Sequence, residues 1–317
     1  LIDLGVLSPH FEAGNWEQAG IDQRLLDEAA AVHGLAASRY GQYRLSRRRP
    51  DTAGEPDTCP LHVELRVPHG TTVEAPFAGV VHQPMPGVLQ LDGPQLSVRL
   101  WGVAPSLHSG AALVKGQVLG SVSGPLIVQL CRGASSSAPL FCTPSRAAAW
   151  QALCPSPAML LGLACDAQEE LDSQTLLARR GASFARTQKH YYVDPPRIER
   201  GWRNHLIDMQ GRSYLDMLNN VAVLGHGHPR MAAVASRQWS LLNTNSRFNY
   251  AAVAEFSERL LKLSPEGMDR VFLVNSGSEA NDLAIRLAWA YSGGRDMLSV
   301  LEAYHGWTVG ADAVSAS

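Results

Sequence analysis

The sequence predicts a multidomain chain, a small all-β barrel or sandwich followed by an α/β module. Two textures predict it. Between residues 58 and 131, short β-prone runs alternate with Pro- and Gly-bearing turns. Near the far end, Val271-Phe272-Leu273-Val274 runs into Asn275-Ser276-Gly277-Ser278 and then into a helical pattern. The 317 residues suffice for two or three cores, and 45% hydrophobic with 18% charged residues describes a globular chain rather than a disordered one. A formal net charge of −2 offers no basic field for nucleic acid or acidic membranes. The longest apolar stretch, residues 158–165, is far short of a span, and the first residues lack the basic start and apolar core of a signal peptide. Cysteines 59, 131, 142, 154 and 165 are odd in number and form no CxxC pair, which favours free thiols in a reducing cytoplasm.

Residues 1–57 are expected to be a helical lead-in, with helix over 21–32, closed by a polar linker at 45–56. Its run Arg47-Arg48-Arg49 is read as solvated. In the β module, residues 58–132, strands are expected at 72–75, 79–82, 88–91 and 96–101. Turns at 68–70, 76–79, 84–87 and 92–93 separate them. Residues 133–189 return to helix and loop, with a flexible joint at 135–137 and a helix over 174–180. The α/β module is taken to occupy 190–317.

Within the β module, Pro68-x-Gly70-Thr71-x-Val73-x-Ala75-Pro76-x-x-Gly79-Val80-Val81, followed by Val114-Lys115-Gly116-Gln117-Val118-Leu119-Gly120, resembles the M23 peptidase (lysostaphin-like) domain. The resemblance implies a zinc held by a His-x-x-x-Asp pair and a His-x-His. Those positions here are Pro60 and Glu64, then Pro125 and Ile127, so three of four carry no possible ligand. A catalytic zinc needs about three protein ligands. A degenerate, structural or docking domain without metal is therefore expected. His62 and Glu64, two apart, share one face if they lie on a strand. His69, His82 and His108 are read as surface or satisfied core residues. The same barrel shape occurs in biotinyl and lipoyl carriers, but the turn at 84–87 lacks their lysine, and Lys115 sits in another turn.

In the last module, residues 204–216 alternate around Gln210-Gly211 as a hairpin does, and lead to Gly225-His226-Gly227-His228-Pro229, where Pro229 suits a first helical turn. His226-x-His228 has no third ligand and is read as a loop. After the Ser276-Gly277-Ser278 turn a helix is expected from Glu279. Its stripe Ala280, Leu283, Ala284, Leu287, Ala288 and Tyr291 would pack on a sheet. Its unpaired N–H groups and positive dipole end make an anion seat, with Gly277 allowing close approach and both serines adding hydroxyls. A second strand at 297–301 would then deliver Tyr304-His305-Gly306.

This succession resembles the class III (fold type I) pyridoxal-phosphate (PLP) enzymes. Asn219-Asn220-Val221-Ala222 and Leu242-Asn243-Thr244-Asn245-Ser246-Arg247-Phe248 resemble the branch containing ethanolamine-phosphate phospho-lyase. The resemblance implies PLP as cofactor. It places Ser276, Gly277 and Ser278 on its phosphate and Tyr304, with His305 beside it, on its ring. It makes Asn220 and Arg247 substrate candidates. Arg247 equally suits anchoring the chain before a helix over 251–263. The family also needs a Schiff-base lysine and an aspartate at the ring nitrogen, both well after the Tyr-His-Gly element. Only Lys115, Lys189 and Lys262 exist, and Asp312 follows Tyr304 too closely. No catalytic residue is thus assigned, and the chain is expected to be a fragment of a larger fusion protein, inactive by itself.

Three readings stay open: an aminotransferase acting on an amine or amino-alcohol phosphate, an amino-alcohol-phosphate phospho-lyase, or a non-catalytic scaffold. The expected partners are a small-molecule amine and, in the full-length protein, a second copy of the chain. No nucleic acid or membrane partner is expected.

Overall fold

A computed structural model of the chain describes residues 1–48, 54–133, 137–167, 171–188, 191–218, 223–244 and 247–316. The chain divides into two compact units, residues 1–241 and 242–317.

The first unit is built on one antiparallel sheet. Its strands are β1 (Ala36–Ala37), β3 (Val63–Arg66), β4 (Thr72–Glu74), β5 (Gly79–Met85), β6 (Val88–Asp92), β7 (Leu96–Pro105), β8 (Ala112–Leu113) and β9 (Val118–Arg132). The order is β1-β3-β9-β7-β6-β5-β8, with β4 on β9. Neighbours in sequence pair through the short turns the Pro and Gly residues supply, as β5 does with β6. The 15-residue β9 is the spine, taking β3, β4 and β7 along its length. It runs through Gly120, Gly124 and Pro125, residues that more often punctuate strands. The register shift between Trp101 and Val103 absorbs that irregularity. Gly102 sits there at φ +76°, where a Cβ would fall 2.1 Å from the Pro125 carbonyl oxygen.

Alternate residues of these strands, among them Val63, Leu65, Leu89, Leu91, Val98, Leu100, Val128 and Leu130, form the main core. Among the buried polar side chains, Arg99 Nη1 donates to Gln129 Oε1 (3.0 Å) and to the Ala138 carbonyl (2.9 Å). A second core joins the small sheet of β2 (Cys59–Pro60) and β10 (Phe141–Cys142) to helix α2 (Ala147–Leu153), and it holds Cys59, Cys131, Cys142 and Cys154. The short α3 (Ala158–Leu161) places Ala158 on the main core, and α4 (Ser173–Ser183) starts at Asp172, whose side chain accepts from the Thr175 N–H.

A third core ties the N-terminal segment to β11 (Ile198–Trp202), β12 (His205–Asp208) and β13 (Ser213–Leu215). Helix α1 (Ile21–His33) adds Ile21, and Trp16 meets Trp202 edge-on with centroids 4.8 Å apart. The β12–β13 hairpin turns at Gln210-Gly211, as the alternation predicts. Strand β11 was not anticipated. Pro229 opens α5 (Pro229–Leu241).

In the second unit, α6 (Ala251–Leu261), α7 (Gly277–Ser292) and α8 (Val309–Ala313) form, but the expected strands do not. Residues 271–274 and 297–301 are irregular and mostly exposed. A strand exists only through hydrogen bonds to a neighbour, and neither run has a ladder partner among the described residues. The stripe expected to pack on that sheet changes role as well. Ala280, Ala284, Leu287, Ala288 and Tyr291 are exposed and Leu283 half-buried. The packed face of α7 is instead Ser278, Asp282 and Ile285, against α8. Among the described residues, no helix is long and apolar enough to cross a membrane.

Candidate functional site

The N-terminus of α7 is built by its own sequence. Ser276 is extended at φ −153°, and its Oγ accepts the Glu279 N–H at 3.2 Å, which starts the helix at Gly277 rather than Glu279. Glu279 reaches back, its Oε2 accepting the Asn275 N–H at 2.7 Å. Together they close the helix start from both sides, the serine capping Glu279 and Glu279 holding the residue before the cap. Gly277 faces open space, with nothing within 4 Å of where a Cβ would stand. With the Glu279 N–H taken by Ser276, the Gly277 and Ser278 N–H groups lie at the open start of a 16-residue helix beside two hydroxyls.

The Tyr-His-Gly loop is docked onto these first turns. Asn281 Nδ2 donates to the His305 carbonyl at 2.6 Å, and the Trp307 N–H donates to Ser278 Oγ at 3.3 Å. Asp282 Oδ1 accepts the Gly310 N–H (3.0 Å) and the Thr308 hydroxyl (3.3 Å), fixing the start of α8. The His305 N–H donates to Ser315 Oγ at 3.0 Å. Gly306, at φ +133°, lies so close that a Cβ would fall 2.8 Å from Ser278 Cα. Tyr304 is 68% exposed.

The five residues assigned to cofactor binding thus gather on one helix end and the loop seated on it. Asn281, Asp282 and Thr308, which hold the loop, were missed, since nothing in their pattern separates them from surface polar residues. Removing the Asp282 carboxylate by Asp282→Ala is expected to loosen this loop, at a cost of about 1 kcal/mol in local stability. Faster hydrogen exchange at the Gly310 amide is the measure.

Arg247 is exposed ahead of α6. Asn220 and Lys189 lie outside the described residues. His226 Nε2 sits 2.7 Å from Asp216 Oδ2, within hydrogen-bond distance, so this side chain is engaged within the protein. In the β sheet, Glu64 is paired in register with Ile127 across β3 and β9. His62 Nε2 lies 3.4 Å from Glu64 Oε1 and its Nδ1 2.9 Å from the Leu140 carbonyl. Burial raises the Glu64 carboxyl, but the His62 hydrogen bond and the charge of Arg44 outweigh it, leaving its pKa below the ordinary value. No group of three or more potential metal ligands occurs among the described residues.

The α7 seat suits a phosphate ester through the Gly277 and Ser278 N–H groups, the Ser276 hydroxyl, a positive dipole end and a glycine where a bulky ligand must approach, with the Glu279 carboxylate beside them held by the Asn275 N–H. Residues 185–317 match the family model described as Aminotransferase class-III. An alanine–glyoxylate aminotransferase 2-like protein of Drosophila melanogaster is 37% identical over 141 residues, covering 44% of this chain and 28% of that protein. Ethanolamine-phosphate phospho-lyase homolog 1 of Caenorhabditis elegans is 35% identical over 133 residues, 42% of this chain and 28% of that one. Among solved structures, a phospholyase from Arthrobacter in complex with phosphoethanolamine is 36% identical, covering 44% of this chain and 33% of that one, with a TM-score of 0.43. The chain spans less than a third of the length of these two curated relatives. Over residues 185–317, the chain is similar to the class-III aminotransferases, a family of PLP enzymes.

Proposed function

We propose that residues 185–317 contribute the phosphate-binding part of a PLP-dependent enzyme of the aminotransferase type. The observation that carries this reading is the Ser276-capped end of α7 with Gly306 pressed against Ser278. In it, the Ser276 hydroxyl, already accepting from Glu279, is free to donate to a phosphate oxygen. The N–H groups of Gly277 and Ser278 supply further donors, and Gly306 allows the loop to lie close enough for Tyr304 to flank the ring. When bound, PLP acts as an electron sink for negative charge developing beside the substrate amine. The chain's own residues hold the phosphate and set the orientation of the ring.

The proposed substrate is a small amine, and more narrowly an amino-alcohol phosphate. The similarity to the phospho-lyase homolog and to the phosphoethanolamine-bound phospholyase supports the narrower form. Phosphate elimination is therefore carried as the second reading beside amine transfer. A homodimeric assembly and a degenerate M23-like role for the sheet remain part of the proposal. The pairing of Glu64 with Ile127, the positions that correspond to zinc ligands in that fold, supports the latter.

Neither Lys115, in the turn before β9, nor Lys262, after α6, belongs to the segments that make the seat. Treatment with PLP and then borohydride is therefore expected to label no single lysine stoichiometrically, as read by peptide mass spectrometry. A one-to-one adduct confined to Lys115, Lys189 or Lys262 would contradict that and make the chain a self-sufficient cofactor enzyme.

A further inference from the structure

Two of the five cysteines meet in the second core. Cys131, at the end of β9, and Cys154, at the C-cap of α2, are each 1% exposed, with sulfurs 3.5 Å apart. Both are held from several sides. The Cys154 N–H donates to the Trp150 carbonyl (2.6 Å), and the Tyr40 hydroxyl donates to the Cys154 carbonyl. On the other side, Cys131 is paired with Ser97 across β7 and β9. We propose that Cys131 and Cys154 form a reversible disulfide when local opening of the α2 packing admits a hydroperoxide to the pair, joining the spine of the sheet to α2.

We assign the attack to Cys154 and the resolving step to Cys131, the two sulfurs being within contact of each other. The hydrogen bond shared with Cys131, in which either sulfur can donate, favours the Cys154 thiolate against the opposing effect of burial, and the Arg99 guanidinium adds to this, so its pKa lies below that of an ordinary thiol. Arg99 is itself buried, and its Nε has no hydrogen-bond partner. The competing pair, Cys59 and Cys142, faces across β2 and β10. Burial pushes the Cys59 thiol to about 12 and raises Cys142, which leaves that pair little thiolate. Burial also raises Cys165.

The step balances. The Cys154 thiolate attacks the peroxide oxygen, breaking O–O, to give a sulfenic acid and, after proton uptake, an alcohol or water. Cys131 sulfur then attacks the sulfenic sulfur, its proton leaving with the hydroxyl as water. Two thiols are oxidised and one hydroperoxide is reduced.

The test uses the folded full chain with a small excess of hydrogen peroxide, followed by alkylation, unfolding and non-reducing peptide mapping. The expected result is one cross-link, Cys131 to Cys154, reversed by dithiothreitol, with a thermal midpoint raised by about 5 °C. In Cys131→Ser the resolving sulfur is gone, so a dimedone-reactive sulfenic acid should accumulate on Cys154. A folded chain that leaves this pair unlinked, or links Cys59 to Cys142 first, overturns the proposal. Mapping of the unsubstituted chain decides even if the variant does not fold.

Discussion

Replacing Gly306 by valine is expected to abolish specific binding of a pyridoxal-phosphate-type ligand at α7, lowering affinity by at least about tenfold. The added Cβ would stand 2.5 Å from Ser278 Oγ and 2.8 Å from Ser278 Cα, and one of these is backbone that cannot swing aside. A β-branched residue at φ +133° adds about 1–3 kcal/mol of backbone strain. Relief comes by lifting the loop from α7, which breaks the Trp307-to-Ser278 and Asn281-to-His305 hydrogen bonds. A fluorescence titration with pyridoxamine 5′-phosphate, set beside the far-UV circular dichroism of the variant, measures the loss with helix content as control. Unchanged affinity would mean the loop does not shape the seat.

The largest expected stability effect lies in the other unit. Trp202→Ala removes a ring that is 9% exposed and packed on Trp16, in the core that also holds Phe11. Truncating a buried aromatic to alanine costs about 3–5 kcal/mol. Trp202 lies on β11 and Trp16 in the N-terminal segment, so the loss should detach residues 1–17 from the β11–β13 sheet while the main core stays folded. Limited proteolysis is expected to cut within the first 20 or so residues of the variant well before the unsubstituted chain. Equal resistance in both would contradict the Trp16–Trp202 tie.

How far each feature was legible follows from where its partners lie. The β12–β13 hairpin and the β5–β6–β7 meander were readable because each strand pairs with its neighbour across a turn whose residues are in the sequence. The Trp16–Trp202 core was not, since two residues so distant carry no local signature. The runs at 271–274 and 297–301 have strand composition, yet strand formation depends on a partner that sequence texture does not supply. For the same reason the α7 stripe predicted a buried face and is instead exposed, Tyr291 at 96%. The start of α7 was legible to within two residues, because a capping serine, a glycine and a helical pattern write a helix start in four consecutive residues. The clamp that docks the loop on it was not, as Asn281 and Asp282 look like ordinary helix-surface residues.

The central claim is that the Ser276–Ser278 end of α7 is a seat for the phosphate of a pyridoxal-type cofactor. Comparing pyridoxamine 5′-phosphate with pyridoxamine tests it most directly, because the two share the ring and differ in the phosphate, and neither aldehyde chemistry nor a lysine is involved. Titrated against the full chain, the phosphate form is expected to bind at least about tenfold more tightly, and Ser276→Ala to erase most of that difference. Equal affinity for the two ligands, or a preference that survives Ser276→Ala together with Ser278→Ala, would contradict it.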